Sequence, residues 1–560
     1  MKEKTVVLKE LFEKKKYSEI INIIENKIEE EKKNSGLLNL LGVCKILKSN
    51  KKEDIVSAVS NFRKAYLKEK GTPNSMHALK NFINSSMDVF DIDFRNENED
   101  SRDEVFDEIL TYFNENKNFF ENNHTFLRAM MRVFKRNLDL KSAIYCLKKI
   151  IDIDKNNVDA MCSYIYFNGF SKDWDQKKYL YNLKLLNKIL PTYPIDQLVK
   201  FEKFNNKKIN LAFLSSDIRG NHSVNYFLET VLKEYNNNEF NIFFYINNKE
   251  DQTTEKIKKF GMKSLNIKSL NDIDAINTIR NDKIDILIDL MGITSEHKLS
   301  LLKNRLAPIQ ISWCGYCNTT GLDQMDYLIA DKNLIYKEEI NLYSEKIIFL
   351  PQIWNCHTGF DVERKKNLAP VKKNKHITFG SFNNFRKIND SVIVAWSQIL
   401  KKVPNSKLIL KASDSASISM LSKKFKQKNV LNQIHFQPHK KNFEDHLKEY
   451  NNIDIALDTF PYNGVTTSFE AIWMGVPVVT LKGYNFNSRC GESINKNLKL
   501  EKLIGISEQD YVVKATLLAS DINELENVRN TIFNEALNSP LFDTKEFSNA
   551  FFNSLKKIYN

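Results

Sequence analysis

From residue 207 onward, short runs of β-branched and apolar residues alternate with amphipathic helical patterns. Strands that alternate with helices pair in parallel, so the pattern predicts an α/β architecture with Rossmann-like sheets. A basic, proline-containing stretch at 364–375 divides the strands into two domains and is typical of a linker. The predicted strands are 209–215, 240–246, 284–289, 309–313, 347–350, 377–381, 407–411, 434–437, 453–457 and 476–481. Two such domains form a cleft between the carboxyl ends of their sheets.

Residues 1–165 show helical periodicity and almost no strand pattern. In segments 37–66 and 126–157, small residues on a second helix permit close approach of the first, and a polar turn ends the segment. These segments resemble degenerate tetratricopeptide repeats, although plain helical hairpins share the pattern. We therefore predict a helical-repeat arm over 1–165 and a helical linker over 166–206. The two α/β domains are then predicted over 207–372 and 373–560.

The composition is ordinary for a soluble protein, with 42% hydrophobic and 27% charged residues among 560. The formal net charge is +13, but the lysines are spread along the chain and mixed with acidic residues. A nucleic-acid-binding surface would concentrate its basic residues on one face, so the pattern predicts no nucleic-acid partner. A basic surface still favours acidic partners or a negatively charged small substrate.

The seven cysteines are too few and too scattered for a disulfide framework, which favours a reducing compartment. The first residues lack the apolar segment of a signal peptide. No apolar run approaches the roughly 20 residues that a membrane-spanning helix needs. The sequence therefore predicts a cytoplasmic protein without a membrane span.

The most informative segment is 458–477, which follows the apolar run 453–457. It combines a turn, two hydroxyls and a carboxylate, namely Asn463, Gly464, Thr466, Thr467 and Glu470. A helix that begins at a Thr-Thr pair offers free backbone N–H groups and the positive end of a dipole, as a diphosphate requires. Glu470 lies one helical turn further on the same face, within reach of a sugar diol. A threonine also caps helices that bind no ligand, so a purely structural role is the alternative.

Four separated blocks occur in order over residues 207–555. The first block is Ser215-Ser216-Asp217 with His222-Ser223-Val224, and the second runs from Ala307-Pro308-Ile309-Gln310 through Gly315-Tyr316 and Thr319-Thr320-Gly321 to Asp326-Tyr327. The third block is Phe382-Asn383 with Lys387-Ile388, and the fourth is 458–477 with Ser488-Arg489. Together these blocks resemble the O-linked N-acetylglucosamine transferase family, which includes the plant Spindly protein. The helical pattern of 1–165 is consistent with the repeat arm of that family.

The resemblance implies two Rossmann-like domains of the glycosyltransferase B type and an inverting transfer of a sugar from a nucleotide diphosphate to Ser or Thr of proteins. It implies no cofactor and no essential metal, with UDP-GlcNAc as the donor and acceptor polypeptides bound by the repeats. The segment 457–462 is closer to Spindly-type proteins, which use GDP-fucose, so fucose is the alternative sugar. The same residues are also compatible with a transferase that acts on glycan or lipid, or with a non-enzymatic scaffold whose pocket is degenerate.

The resemblance assigns donor binding to Asn384, Lys387, His446, Asn463, Gly464, Thr466, Thr467 and Glu470. Lys387 would place a cation at the diphosphate, whose negative charge grows as the glycosidic bond breaks. Glu470 would take the ribose hydroxyls, and His446 would stack on the base. Asn384 stands where relatives often carry Gln, and either amide can reach the phosphate or the base.

On the acceptor side, the resemblance implies two candidate bases, His222 and Asp285. A histidine near its ordinary pKa can accept the hydroxyl proton or position the acceptor, and the donor phosphate is a third possible proton acceptor. Three departures from the family pattern, at Ile293, Val465 and Cys317, are expected to change the donor or weaken turnover.

Two further patterns suggest chemistry that we do not predict. Cys314 and Cys317 have the spacing of a thioredoxin-type pair, but turn residues follow them where a redox motif needs a helix N-terminus. Asp272 and Asp274 form one of four Asp-x-Asp pairs and mark the start of a predicted helix, not a strand end that would hold a metal. The sequence therefore predicts neither redox function nor a metal site.

Overall fold

The structure is a computed structural model that describes residues 2–49, 51–93, 102–200, 207–220, 222–364, 366, 368–411, 415–438, 440 and 442–560. The chain divides into two compact units. Unit 1 comprises Met1–Lys155 with Ser413–Met420, and unit 2 comprises Asn156–Ala412 with Leu421–Asn560.

The described residues of 2–155 form α-helices and contain no strand. They are α1 (Lys2–Glu13), α2 (Tyr17–Asn26), α3 (Ser35–Lys48), α4 (Lys52–Lys68), α5 (Pro73–Asp93), α6 (Arg102–Glu115), α7 (Lys117–Glu121), α8 (His124–Arg136) and α9 (Leu140–Ile153). Helices α3 and α4 pack closely because Gly42 leaves room for the Phe62 ring, which a Cβ at position 42 would meet at 2.5 Å. The predicted helical character of this region is confirmed.

Unit 2 begins with α10 (Val158–Asn168) and α11 (Gln176–Ile189). The unit boundary lies at Lys155 and not at residue 165, so α10 belongs with the α/β part of the chain. The predicted linker, 166–206, contains α11, and its last residues, 201–206, lie outside the described residues.

The first sheet of unit 2 has seven parallel strands in the order β3-β2-β1-β4-β5-β6-β7. The strands are β1 (Ile209–Ser215), β2 (Phe240–Ile246), β3 (Lys263–Asn266), β4 (Ile286–Asp289), β5 (Ile309–Ser312), β6 (Tyr327–Asp331) and β7 (Lys346–Leu350). Its helices are α12 (Ser223–Glu234), α13 (Gln252–Lys258), α14 (Asp272–Asn281) and α15 (Leu299–Lys303). Five strands were predicted, whereas β3 and β6 were not, and β3 is a short, half-exposed edge strand without an apolar run.

The second sheet has six parallel strands in the order β10-β9-β8-β11-β12-β13. The strands are β8 (Thr378–Ser381), β9 (Lys407–Lys411), β10 (Ile434–Gln437), β11 (Ile455–Leu457), β12 (Val478–Leu481) and β13 (Ile504–Gly505). The helices are α16 (Pro370–Asn374), α17 (Asp390–Lys402), α18 (Ser415–Gln427), α19 (Phe443–Lys448), α20 (Thr466–Trp473), α21 (Cys490–Asn497), α22 (Glu508–Ser520), α23 (Ile522–Glu535) and α24 (Thr544–Tyr559). The predicted pair of Rossmann-like sheets is confirmed.

The last helix, α24, returns to the first sheet. Its Phe552 ring lies 4.8 Å from that of Phe240, and its Phe551 ring lies 4.7 Å from that of Trp313. The predicted C-terminal domain, 373–560, therefore ends with a helix that packs on the other domain. Among the described residues, no helix combines the length and apolar character needed to cross a membrane.

In both sheets the strand order reverses at one point, and α/β proteins place their ligand crevice there, beyond the carboxyl ends of the strands. In the first sheet the reversal lies between β1 and β4, and in the second it lies between β8 and β11. The loops that follow these four strands are therefore where side chains with chemical roles are expected.

One glycine allows the loop after β5 to cross this edge of the first sheet. A Cβ at Gly315 would lie 1.7 Å from the carbonyl oxygen of Leu290, which follows β4. Two backbones approach each other here more closely than any side chain allows.

We expect Gly315→Ala to lower the free energy of unfolding of unit 2 by at least about 3 kcal/mol, because the backbone contact must open. Denaturant unfolding followed by tryptophan fluorescence measures this, since all five tryptophans lie beyond residue 155. Gly220→Ala is the matched control. Its φ of +45° is strained for alanine, but the nearest atom to its Cβ is 3.9 Å away, so a loss of only about 1–2 kcal/mol is expected. Equal losses in the two variants would contradict this explanation.

Candidate functional site

A buried carboxylate shapes the loop between β11 and α20. Asp458 follows β11, and its Oδ1 accepts hydrogen bonds from the backbone N–H groups of Thr459 (2.8 Å) and Gly464 (2.7 Å). Its Oδ2 accepts a third bond, from the Thr480 hydroxyl, at 2.8 Å. Burial raises the pKa of Asp458 to about 6. Both ends of the loop are therefore tied to one side chain.

Asn463 is also fully buried, and its side chain serves the loop. Its Nδ2 donates to the Thr459 carbonyl at 2.9 Å, and its Oδ1 accepts from the Gly491 N–H at 3.1 Å. The backbone carbonyl of Asn463 accepts a hydrogen bond from Lys387 Nζ at 2.8 Å. The contribution of Asn463 to the site is therefore its carbonyl and not its amide side chain.

Helix α20 begins at Thr466 without a side-chain cap from Val465. The Val465 carbonyl accepts the N–H groups of Ser468 and Phe469. Within the described part of the chain, the backbone N–H groups of Thr466 and Thr467 have no acceptor. These two amides, together with the positive end of the helix dipole, form a site suited to an anion.

Gly464 lets this helix start close to the end of β8. A Cβ at Gly464 would lie 2.5 Å from Thr467 Oγ1 and 2.9 Å from Asn383 Oδ1. The Thr467 hydroxyl itself donates to Asn383 Oδ1 at 3.1 Å. The two loops at the reversal point of the second sheet are thus in direct contact.

Lys387 ends a 3₁₀ turn, Phe385–Lys387, that follows β8. Besides its bond to the Asn463 carbonyl, its Nζ lies 4.8 Å from the centroid of the Tyr462 ring. Burial lowers the pKa of Lys387, and the carboxylate of Asp458 acts in the opposite direction. The structure therefore places a half-buried ammonium next to the loop that leads into α20.

Glu470 and His446 form a buried pair. His446 Nε2 lies 3.1 Å from Glu470 Oε2, which also accepts the Tyr450 hydroxyl at 2.9 Å. The His446 ring centroid lies 5.6 Å from that of Phe382 and 5.8 Å from that of Phe443. The predicted stacking of His446 on a base requires an open ring face, whereas the structure buries this ring and joins it to Glu470.

Asn384 is exposed, and its Oδ1 accepts the Arg386 N–H at 3.1 Å, which caps the 3₁₀ turn. Its neighbour Asn383, which was not predicted as a site residue, makes the contact with Thr467. Lys411, the last residue of β9, was also missed. Burial lowers its pKa, and the negative charge of Glu470 opposes that shift. A charged residue at the end of a parallel strand was the sequence signal for Lys411.

His222 lies at the corresponding edge of the first sheet and caps α12. Its Nδ1 accepts the Val224 N–H at 3.4 Å, and its Nε2 lies 3.5 Å from Asp217 Oδ1. Arg219 Nη2 lies 3.8 Å from the same Asp217 oxygen. Burial lowers the pKa of His222 and raises that of Asp217. A neutral imidazole beside a carboxylate can accept a proton from a hydroxyl.

Asp285, the other predicted base, lies at the wrong edge of the sheet. It precedes β4, and its Oδ2 accepts the Asn210 N–H at 2.8 Å, while the Tyr559 hydroxyl donates to its Oδ1 at 3.4 Å. His222 follows the carboxyl end of β1, and the four residues of β4 separate Asp285 from that edge by about 13 Å. The structure does not bring Asp285 to the candidate site, and its role here is structural.

Asp289, at the carboxyl end of β4, occupies the position where a carboxylate would face the crevice. It accepts the Gly292 N–H at 2.8 Å and the Met291 N–H at 3.2 Å. Burial raises its pKa to about 7, and the nearby Asp217 adds to that shift. The last residue of a predicted strand was the signal for this carboxylate.

Arg489, in the last of the resembling blocks, connects the two sheets. Its Nη2 donates to Glu339 Oε1 at 2.7 Å, and its guanidinium lies 4.0 Å from the centroid of the Tyr336 ring. The preceding Ser488 hydroxyl accepts the Asn485 N–H at 2.9 Å. Arg489 therefore holds the loop before α21 against the loop after β6.

The sequence profile of glycosyl transferase family 41 matches residues 182–360 and 365–551. The chain belongs to glycosyl transferase family 41. The matched residues include both sheets and all of the site described above, whereas residues 1–155, the main part of unit 1, lie outside the match.

Curated relatives include two proteins named probable UDP-N-acetylglucosamine–peptide N-acetylglucosaminyltransferase SPINDLY. The protein of Solanum lycopersicum is 32% identical over 414 residues, which are 71% of this chain and 44% of that relative. The protein of Petunia hybrida is 34% identical over 358 residues, or 61% of this chain and 38% of that relative. This chain thus spans less than half the length of either relative.

Among solved structures, a mutant of the Thermobaculum terrenum O-GlcNAc transferase superposes with a TM-score of 0.78 at 21% identity. The match covers 94% of this chain and 98% of that protein. This likeness shows that the fold is shared, including the two sheets of the glycosyltransferase B type that the sequence predicted.

The three departures from the family 41 pattern lie in loops at the carboxyl edges of the two sheets. Ile293 is buried after β4, Val465 precedes α20, and Cys317 follows β5. Their predicted effect on the donor or on turnover stays a prediction. Helix α14 begins at Asp272, as expected for the Asp272–Asp274 pair.

The raised pKa of Asp289 predicts a pH-dependent stability. Burial disfavours the ionised form of Asp289, so its pKa is about 7 in the folded state and about 3.9 in the unfolded state. The free energy of unfolding therefore falls as pH rises from 5 to 8. Relative to Asp289→Asn, which cannot ionise, the wild type should lose roughly 1–4 kcal/mol over that range. Denaturant unfolding with tryptophan fluorescence at several pH values measures the difference.

Asp251→Asn is the matched control for this experiment. The Thr254 N–H lowers the pKa of Asp251, so the stabilisation from this carboxylate is complete above pH 5. The difference in free energy of unfolding between Asp251→Asn and the wild type should therefore stay constant up to pH 8. A constant difference for Asp289→Asn as well would contradict the burial argument.

Proposed function

We propose that this chain is a protein O-glycosyltransferase that moves N-acetylglucosamine from UDP-N-acetylglucosamine to serine or threonine hydroxyls. The observation that carries the proposal is the Lys387 ammonium beside the uncapped start of α20. The names of the curated relatives describe transfer of N-acetylglucosamine to peptides, and membership of family 41 supports a hexosyltransferase.

The leaving group of this reaction is a nucleoside diphosphate, which gains negative charge as the glycosidic bond breaks. The free N–H groups of Thr466 and Thr467 and the dipole of α20 attract that charge. Lys387 adds a full positive charge on a side chain that is held before the reaction begins. Because these donors are in place, little reorganisation is needed when charge develops, which is the main source of such catalysis.

The nucleoside is assigned to the side of α20 that carries Glu470. Residues three and four positions apart on a helix lie about 5–6 Å from each other, which suits a ribose next to a diphosphate. Glu470 is oriented by Tyr450 and His446, as its two hydrogen-bonding contacts indicate. The burial of His446 supports an orienting role for this residue over stacking on the base.

The acceptor hydroxyl is assigned to the His222 side of the cleft. His222 is neutral near pH 7 because burial lowers its pKa, and Asp217 stabilises the imidazolium that forms when the ring takes a proton. The donor phosphate is the alternative proton acceptor. A His222→Asn variant distinguishes the two. If His222 is the base, the substitution removes the acidic limb of the pH–rate profile, whereas the limb remains if the donor phosphate accepts the proton.

We extend the proposal to the rest of the chain. Helices α3 and α4 contact each other, as do α8 and α9, and we assign these pairs to tetratricopeptide-like hairpins that bind acceptor polypeptides. All seven cysteines are free, which fits a cytoplasmic protein. The positive charge is dispersed along the chain, which argues against a nucleic-acid partner.

Parallel assays with UDP-N-acetylglucosamine and GDP-fucose test the function. Intact-mass analysis of co-expressed acceptor proteins would show the N-acetylhexosamine increment if the proposal holds. A fucose increment would show that the donor is GDP-fucose, with the reaction class unchanged. Sugar found only on glycan or lipid would show that the acceptor is not a protein. Absence of donor binding in calorimetry would instead indicate a scaffold.

We expect Lys387→Ala and Lys387→Met to reduce the rate of transfer by about 10²–10³-fold, because the ammonium acts mainly in the transition state. The rate of sugar transfer measures this, and tryptophan fluorescence checks the fold. Lys424→Ala is the control, since Lys424 on α18 forms an ion pair at 2.7 Å with the exposed Asp390 at the start of α17. Turnover within twofold of wild type in both Lys387 variants would refute its role.

We also expect transfer to be unaffected by EDTA. The charge that a divalent cation supplies at a diphosphate is here supplied by Lys387 and the α20 N-terminus. The assay compares initial rates before and after chelation. A strong loss that Mg²⁺ or Mn²⁺ restores would show that the reaction depends on a metal.

A further inference from the structure

The turn between α10 and α11 contacts the loop that leads to α20. The turn is residues 169–175, and the loop, here called the donor loop, is residues 459–464. The Phe170 ring of the turn lies 5.0 Å from the Tyr462 ring of the donor loop, at 31° to it. Tyr166, on α10, adds an edge contact with Tyr462 at 6.4 Å. The helices that precede the first sheet thus form one wall of the proposed donor site.

Asn389 joins these two segments to the start of α17. Its Nδ2 donates one hydrogen bond to the Phe170 carbonyl at 3.1 Å and another to the Phe460 carbonyl at 2.6 Å. Its Oδ1 accepts the Val392 N–H at 3.1 Å and so caps α17. One half-buried amide therefore holds the turn, the donor loop and a helix N-terminus together.

Asn389 is two residues from Lys387. The Asn389 N–H donates to the Lys387 carbonyl at 3.1 Å, which fixes the backbone of the short turn that carries the ammonium. Lys387 Nζ contacts the other end of the donor loop, through the Asn463 carbonyl at 2.8 Å and the Tyr462 ring at 4.8 Å. Asn389 and Lys387 thus bind opposite ends of the donor loop, so a shift of the loop at Phe460 changes the surroundings of the ammonium.

Helix capping alone does not explain the contacts of this side chain. A cap of this kind needs an oxygen that accepts a backbone N–H group, and Asp, Ser and Thr supply one as Asn does. Two bonds to two carbonyl oxygens need an NH₂ group, which among these four residue types only asparagine has. The bonds to Phe170 and Phe460 therefore indicate a second role for Asn389.

We propose that Asn389 is a positioning residue for sugar transfer: it clamps the α10–α11 turn to the donor loop and so fixes Lys387 at the donor diphosphate. A charge that acts in the transition state is effective only where its geometry is set in advance, and a displacement of about 1 Å can cost a factor of about 100 in rate. The effect on transfer rests on the proposed function, whereas the clamp itself does not.

Asn389→Asp separates the clamp from the helix cap. The carboxylate keeps an oxygen for the Val392 N–H, but it has no hydrogen to donate and repels the two carbonyl oxygens. We expect kcat for transfer from UDP-N-acetylglucosamine to fall at least tenfold, while the KM for that donor changes less than threefold, because the ammonium acts mainly in the transition state. Steady-state rates measure both values, and tryptophan fluorescence checks the fold.

A double-mutant cycle with Lys387→Ala shows whether Asn389 acts through the ammonium. The Lys387→Ala chain has no ammonium to position, so the added Asn389→Asp change should lower kcat less than twofold. A merely structural role of Asn389 would lower kcat by the same factor in both backgrounds, and that result would overturn the positioning role. A kcat of Asn389→Asp within twofold of the wild type would overturn it as well.

Asn277→Asp is the matched control, because Asn277 on α14 has the same kind of contacts. Its Nδ2 donates to the Gln197 carbonyl at 2.9 Å, and its Oδ1 accepts the Val199 N–H at 2.8 Å. The substitution therefore removes an amide donor and keeps an acceptor, as Asn389→Asp does, but on a helix of the first sheet. We expect kcat within twofold of the wild type.

Hydrogen–deuterium exchange tests the clamp without reference to activity. We expect Asn389→Asp, but not Asn277→Asp, to speed exchange of the amides of 169–175 and 459–464 at least fivefold, because both segments lose a hydrogen bond that holds them. Unchanged exchange in Asn389→Asp would overturn the clamp. Faster exchange in a chain whose wild type transfers neither sugar would leave the clamp standing and refute the transferase function alone.

Discussion

The buried carboxylate of Asp458 determines the geometry of the second sheet's crevice. It binds the first and sixth amides of the loop that follows it, and through Thr480 it is anchored to the next strand. This closed loop turns the Asn463 carbonyl toward Lys387 and leaves the start of α20 uncapped. Without it, the ammonium and the free amides would have no fixed relation to each other. The preorganisation that the proposed chemistry requires therefore begins at one carboxylate.

The same loop also connects the crevice to the first sheet. Asn463 binds the second residue of α21, and the loop before α21 is held through Arg489 to Glu339 near the end of the first sheet. Helix α24 returns across the molecule to cover the first sheet with Phe551 and Phe552. The two sheets are thus joined both at the crevice and by the chain end.

Strand and helix patterns predicted ten of the thirteen described strands and the start of α20, because period and β-branched runs are local properties. They could not predict β13, which has two residues, or the return of α24, because neither has a local pattern. The resemblance implies a base at Asp285, which lies at the wrong end of β4, while Asp289 at its carboxyl end lies at the crevice. The pairing of His446 with Glu470 depends on a contact between distant segments that spacing does not encode.

The central claim is that a donor diphosphate binds between the Lys387 ammonium and the first amides of α20. A crystal structure of the full chain with bound UDP tests it most directly. The account predicts phosphate oxygens within hydrogen-bonding distance of Lys387 Nζ and of the Thr466 and Thr467 N–H groups. Phosphates bound elsewhere, for example at Arg219 on the first sheet, with Lys387 still turned only to the Asn463 carbonyl, would contradict it.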